Sequence, residues 1–329
     1  MNAPSLKLVL LLLFSIVTIC AASYGDQQYV YRHCVADCAS RTDISELPFY
    51  LRLLRWNVQQ NCGYHCMHQI TQRAIQENTN IYQYHGKWPF YRLYGIQEPA
   101  SVLFSILNGL MHLRYFQIIR RQVNELYQPL KTYYLITSII GMNAWLWSTV
   151  FHTRDTPFTE KMDYFSAGLY IFYGLCVAVI RIFGLQRRKR ATMLISGWTA
   201  VCAVLYIAHV TYLSSRSRFD YGYNMKACIA VGSLQTTLWL NWSILQYTRW
   251  GKKEQRPFAW MAGLSVVLVS CAMCLEVFDF PPYKGVLDAH SLWHASTIPL
   301  APLFYKFLLK DAELDSLSKV DISKKRRLS

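Results

Sequence analysis

Leu135-Ile-Thr-Ser-Ile-Ile-Gly-Met-Asn-Ala-Trp-Leu-Trp-Ser-Thr-Val-Phe-His152 is the stretch that decides the fold class. The chain around it carries no formal charge from Thr132 to Thr153. That is enough for the ~20 residues a helix needs to cross a bilayer. Backbone amides in hydrocarbon must bond within their own segment, so the run predicts a spanning helix. It ends on His152, with Ser148 one helical turn earlier.

Working outward, the run is one of seven apolar blocks. They fall near 99–119, 131–151, 163–184, 192–213, 225–248, 257–277 and 288–309. The expected fold is all-α, a seven-transmembrane helix bundle over 99–309, with a small disulfide-stapled luminal helical segment before it. Composition agrees, since the 329 residues are 53% hydrophobic and 15% aromatic, with 10 Trp and 23 Tyr to settle at membrane interfaces.

The formal charge of +15 falls mostly in connectors between blocks. No basic domain with interleaved aromatics appears, so nucleic acid is not an expected partner. Connectors after the first, third and fifth blocks carry Arg120-Arg121, Arg187-Arg-Lys-Arg190 and Arg249, Lys252, Lys253 and Arg256. Positive loops stay cytosolic, which predicts a luminal amino-terminal segment and a cytosolic tail over 310–329. At the start, Lys7 precedes the apolar run Leu8 to Cys20 and then small residues, Ala21, Ala22 and Ser23. That pattern predicts a cleaved signal peptide over 1–22, and so a luminal segment over 23–98. Charge and signal give one topology.

The luminal segment holds Cys34-Val-Ala-Asp-Cys38 and Cys62-Gly-Tyr-His-Cys66. On helices, the sulfurs within each pair sit a turn apart, which disfavours a bond inside the pair. Antiparallel packing would join Cys34 to Cys66 and Cys38 to Cys62. Four cysteines allow three connectivities, so spacing leaves the pairing open. Cysteines within the apolar blocks read as small core residues.

The chemistry-bearing residues gather at one membrane face under this topology. His152 ends the second block and Asp163 begins the third. His290-Ser-Leu-Trp-His294 begins the seventh, with two histidines one turn apart on one helical face. A catalytic zinc takes three protein ligands and keeps one position for water. His152, His290 and His294 supply three. Asp163 could accept a proton, and Ser148 could donate to an oxyanion. The plainer readings are that Asp163 caps its helix and Ser148 bonds back to its own backbone. Asp288 reads as a first-turn cap. Ser101, Ser105 and Asn108 share a face of the first block and read as bonds to neighbouring helices. Acids and histidines inside membranes nonetheless default to functional groups.

Longer motifs carry a resemblance. Ser148-x3-His152, then Asp163, then the late His290-x3-His294 resemble the CREST superfamily of seven-helix membrane hydrolases. His85-Gly-Lys-Trp-Pro-Phe90, Gln97-Glu-Pro-Ala-Ser101, Asn143 to Asp155, Glu160-Lys-Met-Asp-Tyr-Phe165, Arg218 to Asn224 and Asp279-Phe-Pro-Pro282 are similar to its GPI-lipid remodelling branch. The resemblance implies removal of the sn-2 unsaturated acyl chain from GPI-anchored proteins, a phospholipase A2-type ester hydrolysis. It implies Zn2+ on His152, His290 and His294, with Ser148 and Asp163 catalytic. Membrane lipid and GPI-anchored proteins are then the partners. A Golgi membrane is the implied site, with the endoplasmic reticulum as the alternative. Only Glu98 resembles part of the ceramidases' acidic calcium loop, so no calcium is expected. Zinc chemistry by itself also permits a ceramidase-like amidase, or a nonenzymatic seven-helix receptor or partner with a structural metal.

Overall fold

In the computed structural model, residues 23–123, 130–248, 256–277 and 279–328 are described. The signal-peptide reading over 1–22 and the connector cations Arg249, Lys252 and Lys253 lie outside them. Helices run in the order α1 Tyr29–Arg41, α2 Phe49–Leu53, α3 Val58–Gln76, α4 Pro99–Gln122, α5 Lys131–Thr153, α6 Pro157–Ile182, α7 Ala191–Ser215, α8 Tyr221–Leu245, α9 Trp260–Val277, α10 Ala289–Thr297 and α11 Leu300–Leu328. Among the described residues β-pairing is confined to three isolated bridges. The protein is all-α, and α4 to α11 form the seven-helix membrane bundle, α10 and α11 together making up its seventh member. Helices α4 to α7 are individually long and apolar enough to cross a bilayer.

Two of the block boundaries shift for identifiable reasons. Helix α6 begins at Pro157, six residues before the expected 163, because Thr156 caps it. The Thr156 side chain accepts from Thr159 N–H, and Thr159 returns a bond to the Thr156 amide. Proline at the first helical position completes the start. The seventh block divides between α10 and α11 at Ile298-Pro299, since proline offers no amide to continue the ladder. Helix α11 then runs through residue 310 into the expected tail, where Asp311 and Asp315 are buried.

The chain forms two compact units. The first holds Met1–Ala100 and Leu275–Ser291. Its frame is a pair of disulfides, Cys34–Cys66 and Cys38–Cys62, with Cα separations of 6.0 and 5.7 Å. Rising numbers on α1 meet falling numbers on α3, so the two helices run antiparallel. Spacing had left three pairings open, and the packing of α1 on α3 selects this one. Arg92 lies 3.5 Å from the Trp56 ring centroid and 4.3 Å from that of Tyr64. His68 is stacked on Tyr91 and hydrogen-bonds the Phe90 carbonyl at 2.9 Å. Burial holds its imidazole below the ordinary range, against the opposing effect of that bond.

Three tight turns shape this unit, each with two successive left-handed residues: His85-Gly86, Tyr94-Gly95 and Lys284-Gly285. A type I′ turn needs positive φ at both central positions, which explains the X-Gly pattern. At Gly285 a Cβ would also come within 2.4 Å of the Tyr91 ring.

The second unit holds Ser101–Cys274 and Leu292–Ser329. Trp239, Trp242 and Phe307 pack edge to face in its core. Tyr115 stacks on Tyr305, whose hydroxyl lies 2.8 Å from His112 Nδ1. Gly141 lets α5 approach His112, where a Cβ would stand 2.4 Å from the same nitrogen. Helix α7 leaves Met193, Val201, Val204, Leu205 and Ile207 exposed, a side suited to lipid.

Candidate metal centre and its hydroxyl chain

Ser148 and His152 lie one turn apart at the end of α5, and both are buried. The Ser148 hydroxyl is 3.0 Å from the Ser105 hydroxyl on α4. Ser105 Oγ is in turn 2.9 Å from Nδ1 of His294 on α10. The His152 and His294 rings face each other nearly at right angles, with centroids 5.0 Å apart. Trp145 presents a third ring to His294 at 5.2 Å. Asn108 fixes the backbone beneath, donating from Nδ2 to the His294 carbonyl at 2.8 Å. Thr297 donates to Asn108 Oδ1 at 3.3 Å. The polar groups of α4 therefore hold His294 by both its ring and its main chain.

His290 rides on the same unbroken helix, one turn before His294, so the two project to one side. Its Nδ1 lies 2.6 Å from Glu276 Oε2 near the end of α9. Asp288 caps α10: its Oδ1 accepts from Ser291 N–H at 2.9 Å, and its own amide donates to Ser291 Oγ at 3.0 Å. The capping role read from sequence is the one the residue plays.

His152, His290 and His294 make a group able to offer one nitrogen each to a metal ion. The donor chemistry fits. Metal-binding histidines commonly give their second nitrogen to a carboxylate or another hydrogen-bond acceptor, which fixes the tautomer and aims the ring. Here Glu276 engages Nδ1 of His290, and Ser105 engages Nδ1 of His294. With Nδ1 so engaged, Nε2 is the nitrogen each of these two rings would offer to a metal. Three neutral imidazoles suit zinc among biological metals.

Asp163 stands outside that group. It lies half-buried in the second turn of α6, well inside the helix that Thr156 caps. Capping therefore does not explain it. Ser105 and Glu276 went unremarked as site residues in the sequence. Ser105 carried a weak signal, a hydroxyl on the polar face of an otherwise apolar helix. Glu276 carried another, an acid closing an apolar block.

Similarity to known proteins covers nearly the whole chain. A profile of the Per1-like family matches residues 48–312. The protein is 41% identical over 303 residues to "Protein PER1 homolog" of Schizosaccharomyces pombe, covering 90% of this chain and 89% of that one. It is 41% identical over 302 residues to "GPI-specific phospholipase A2-like PGAP3" of Xenopus tropicalis, covering 89% and 92%. Identity to the Homo sapiens protein of the same name is 38% over 311 residues, covering 92% and 93%. The expected resemblance to a GPI-lipid remodelling branch agrees with those names, and by match and coverage the chain belongs to the Per1-like family.

Proposed function

We propose that this chain is a GPI-lipid acyl hydrolase, removing the sn-2 unsaturated fatty acid from GPI-anchored proteins by zinc-dependent ester hydrolysis. The observation that carries the reading is the hydrogen-bond chain His294–Ser105–Ser148 beside His152. The names of the similar proteins, with their phospholipase A2 wording, support the substrate class.

Zinc, when bound by His152, His290 and His294, supplies a Lewis acid and a water made acidic enough to ionise near neutral pH. The residues do the rest. With Nε2 of His294 as the ligand, Nδ1 carries the proton and donates to Ser105 Oγ. Ser105 then donates its own proton to Ser148 Oγ. That leaves the Ser148 O–H free to donate to the oxygen that becomes negative when the sn-2 carbonyl is attacked. Asp163 accepts the proton from the attacking water and returns it to the departing glycerol oxygen. The acyl C–O bond breaks, and the products are a free fatty acid and a lyso-GPI. Glu276 keeps His290 aimed and basic.

The proposed setting is luminal. Residues 23–98 and the histidine-bearing helix ends face the lumen of a Golgi membrane, or of the endoplasmic reticulum. The basic connectors and the tail face the cytosol. A GPI ester lies near the headgroup boundary, at the depth of the end of α5. Residues 1–22 act as the signal and 99–309 as the membrane bundle in this reading.

The test is purified protein with a GPI-anchored substrate, scored for free fatty acid with and without a zinc chelator, alongside a ceramide. Release from the GPI substrate that chelation stops, and that His290→Ala abolishes in a folded protein, is the expected result. Normal release by that variant would overturn the mechanism. Turnover of ceramide alone would move the assignment to an amidase.

A further inference from the structure

Three segments of the first unit hold large apolar side chains out of its core. On the short helix α2, Phe49 and Leu53 are 71% and 68% exposed and stand one turn apart, with Tyr50 beside them. In the turn at Leu93–Ile96, Tyr94 is 76% exposed and Leu93 is exposed with it. In the connector after α9, Tyr283 is 65% exposed. These segments adjoin. The Tyr50 and Tyr94 rings meet edge to face, with centroids 6.1 Å apart. Beneath them Trp56 Nε1 donates to the Gly95 carbonyl at 2.9 Å. The Tyr91 amide donates to the Gly285 carbonyl at 2.8 Å, and the exposed Tyr91 ring lies against Gly285. One band of exposed rings and aliphatic groups therefore runs from α2 through Tyr94 and Tyr91 to Tyr283, on a hydrogen-bonded base.

Chain connectivity fixes where this band lies. Tyr94 comes five residues before Pro99, the first residue of the spanning helix α4. Five residues reach at most about 18 Å, whatever their path. Tyr283 falls midway between the end of α9 at Val277 and the start of α10 at Ala289. Gln83 and Trp88 each donate to Asp279 in that same connector at 2.8 Å. Two of the three segments are thus tethered to the ends of membrane helices, and the third packs on them. Composition points the same way. Pro48 to Trp56, Tyr91 to Ile96 and Pro281 to Leu287 contain Arg52, Arg55, Arg92 and Lys284 but no Asp or Glu. No carboxylate of these segments would meet lipid phosphates.

We propose that this band is an interfacial platform, seated in the headgroup layer of the bilayer on the side where α4 begins. Phe49, Leu53 and Tyr94 enter the boundary between headgroups and acyl chains, as the apolar face of an interfacial helix does. The tyrosine rings settle at headgroup level, apolar body inward and hydroxyl to water. An exposed apolar patch of this kind marks an interaction surface, and the tethers to α4, α9 and α10 keep the bilayer surface permanently within its reach. The platform uses none of the metal-site histidines and does not depend on the hydrolase reading.

The test uses the full chain in phosphatidylcholine nanodiscs, one copy per disc. Hydroxyl-radical oxidation read by peptide mass spectrometry compares Tyr94 and Tyr283 with Tyr29, which is 78% exposed on α1 of the same unit. Tyr94 and Tyr283 should be oxidised at least about fivefold more slowly than Tyr29, because the headgroup layer shields them from bulk water. A phosphatidylcholine carrying a photoreactive diazirine in its headgroup should leave adducts on residues 49–53 and 93–94. F49S/L53S, which alters exposed side chains only, should cut the adducts on α2 about fivefold by removing its apolar face. Oxidation of Tyr94 and Tyr283 as fast as Tyr29 would overturn the proposal, since the band would then face water. Slow oxidation without lipid adducts would also overturn it, because protein and not lipid would then cover the band. Unchanged adduct yield in the double variant would show that lipid meets α2 by chance and not through this face.

Discussion

The Arg181 end of α6 and the His152 end of α5 show two ways to keep polar groups inside a membrane protein. At the Arg181 end, every buried charge meets an opposite charge on α11 or beside it. Arg181 and Arg256 pair with Asp311 and Asp315 across helices. At the end of α5, two hydroxyls and an imidazole are chained together, and three histidines can each offer a nitrogen to one ion. The first cluster is complete without a ligand. The second is a donor set able to hold a metal ion. That difference separates a structural polar core from a candidate catalytic one more clearly than burial does, since both are buried.

The largest expected break in this comparison is His294→Ala. It should lower fatty-acid release by about a thousandfold or more, in line with loss of a transition-state-stabilising centre. Zinc per chain, measured on purified protein by elemental analysis, should fall with it. Full metal content with lost release would mean that the histidine acts in chemistry but does not hold the ion.

Arg181→Ala should instead unfold the protein without a specific effect on turnover per folded molecule. Removing one partner from a buried ion pair costs up to about 3–5 kcal/mol, and although Arg256 stays on Asp311, thermal unfolding in detergent would register the loss. Arg181→Met with Asp311→Leu should restore much of that loss, because an apolar pair of similar volume removes the undercompensated carboxylate while Arg256 keeps Asp315. A pair variant as unstable as Arg181→Ala would show that the network does more than satisfy itself.

Glu276→Gln and Ser105→Ala should each weaken metal affinity or activity by about 10- to 100-fold, the usual effect of removing a ligand's partner. The two should differ in kind. Glu276→Gln should act mainly on metal retention. Ser105→Ala should also slow release at saturating zinc, because it breaks the chain that frees the Ser148 proton. Equal zinc titration curves and equal saturated rates for the two would sink the hydroxyl chain.

The smallest expected effect lies at His68, on α3. Burial depresses the folded pKa of His68 below the ordinary 6.5. Below pH 6.5 the unfolded chain takes up a proton that the folded one resists, so stability should fall as pH drops toward the folded value. His68→Gln should flatten that slope in a thermal melt of the full chain. An unchanged slope would place the acid sensitivity elsewhere.

Much of this organisation was legible in the residues. The uncharged run ending at His152, and the regular return of apolar blocks, required helices that satisfy their own backbone in lipid. The pair His290 and His294 declared its common face through its spacing alone. The Thr156-Pro157 start of α6 was also written locally, as a capping box, although hydropathy placed the start later. Glu276 and Ser105 were harder. Their sequence signals said only that a polar atom faced inward, and nothing local says which ring it meets. Arg256 misled for the same reason: a cation in a connector reads as loop charge until α11 brings two aspartates to it.

What the sequence determined by itself is whatever depends on period and solvent: the helical class, the number of apolar blocks, and the residue types able to hold a metal. What only the tertiary structure decided is pairing across chain distance. It chose Cys34 with Cys66 and Cys38 with Cys62 from three possibilities, and it joined His294 through Ser105 to Ser148. It also set Arg181 and Arg256 on Asp311. These partners are separated by 24 to 189 residues. A hydrogen bond or a disulfide depends on a few ångströms, and only packed helices set distances that fine between residues so far apart along the chain.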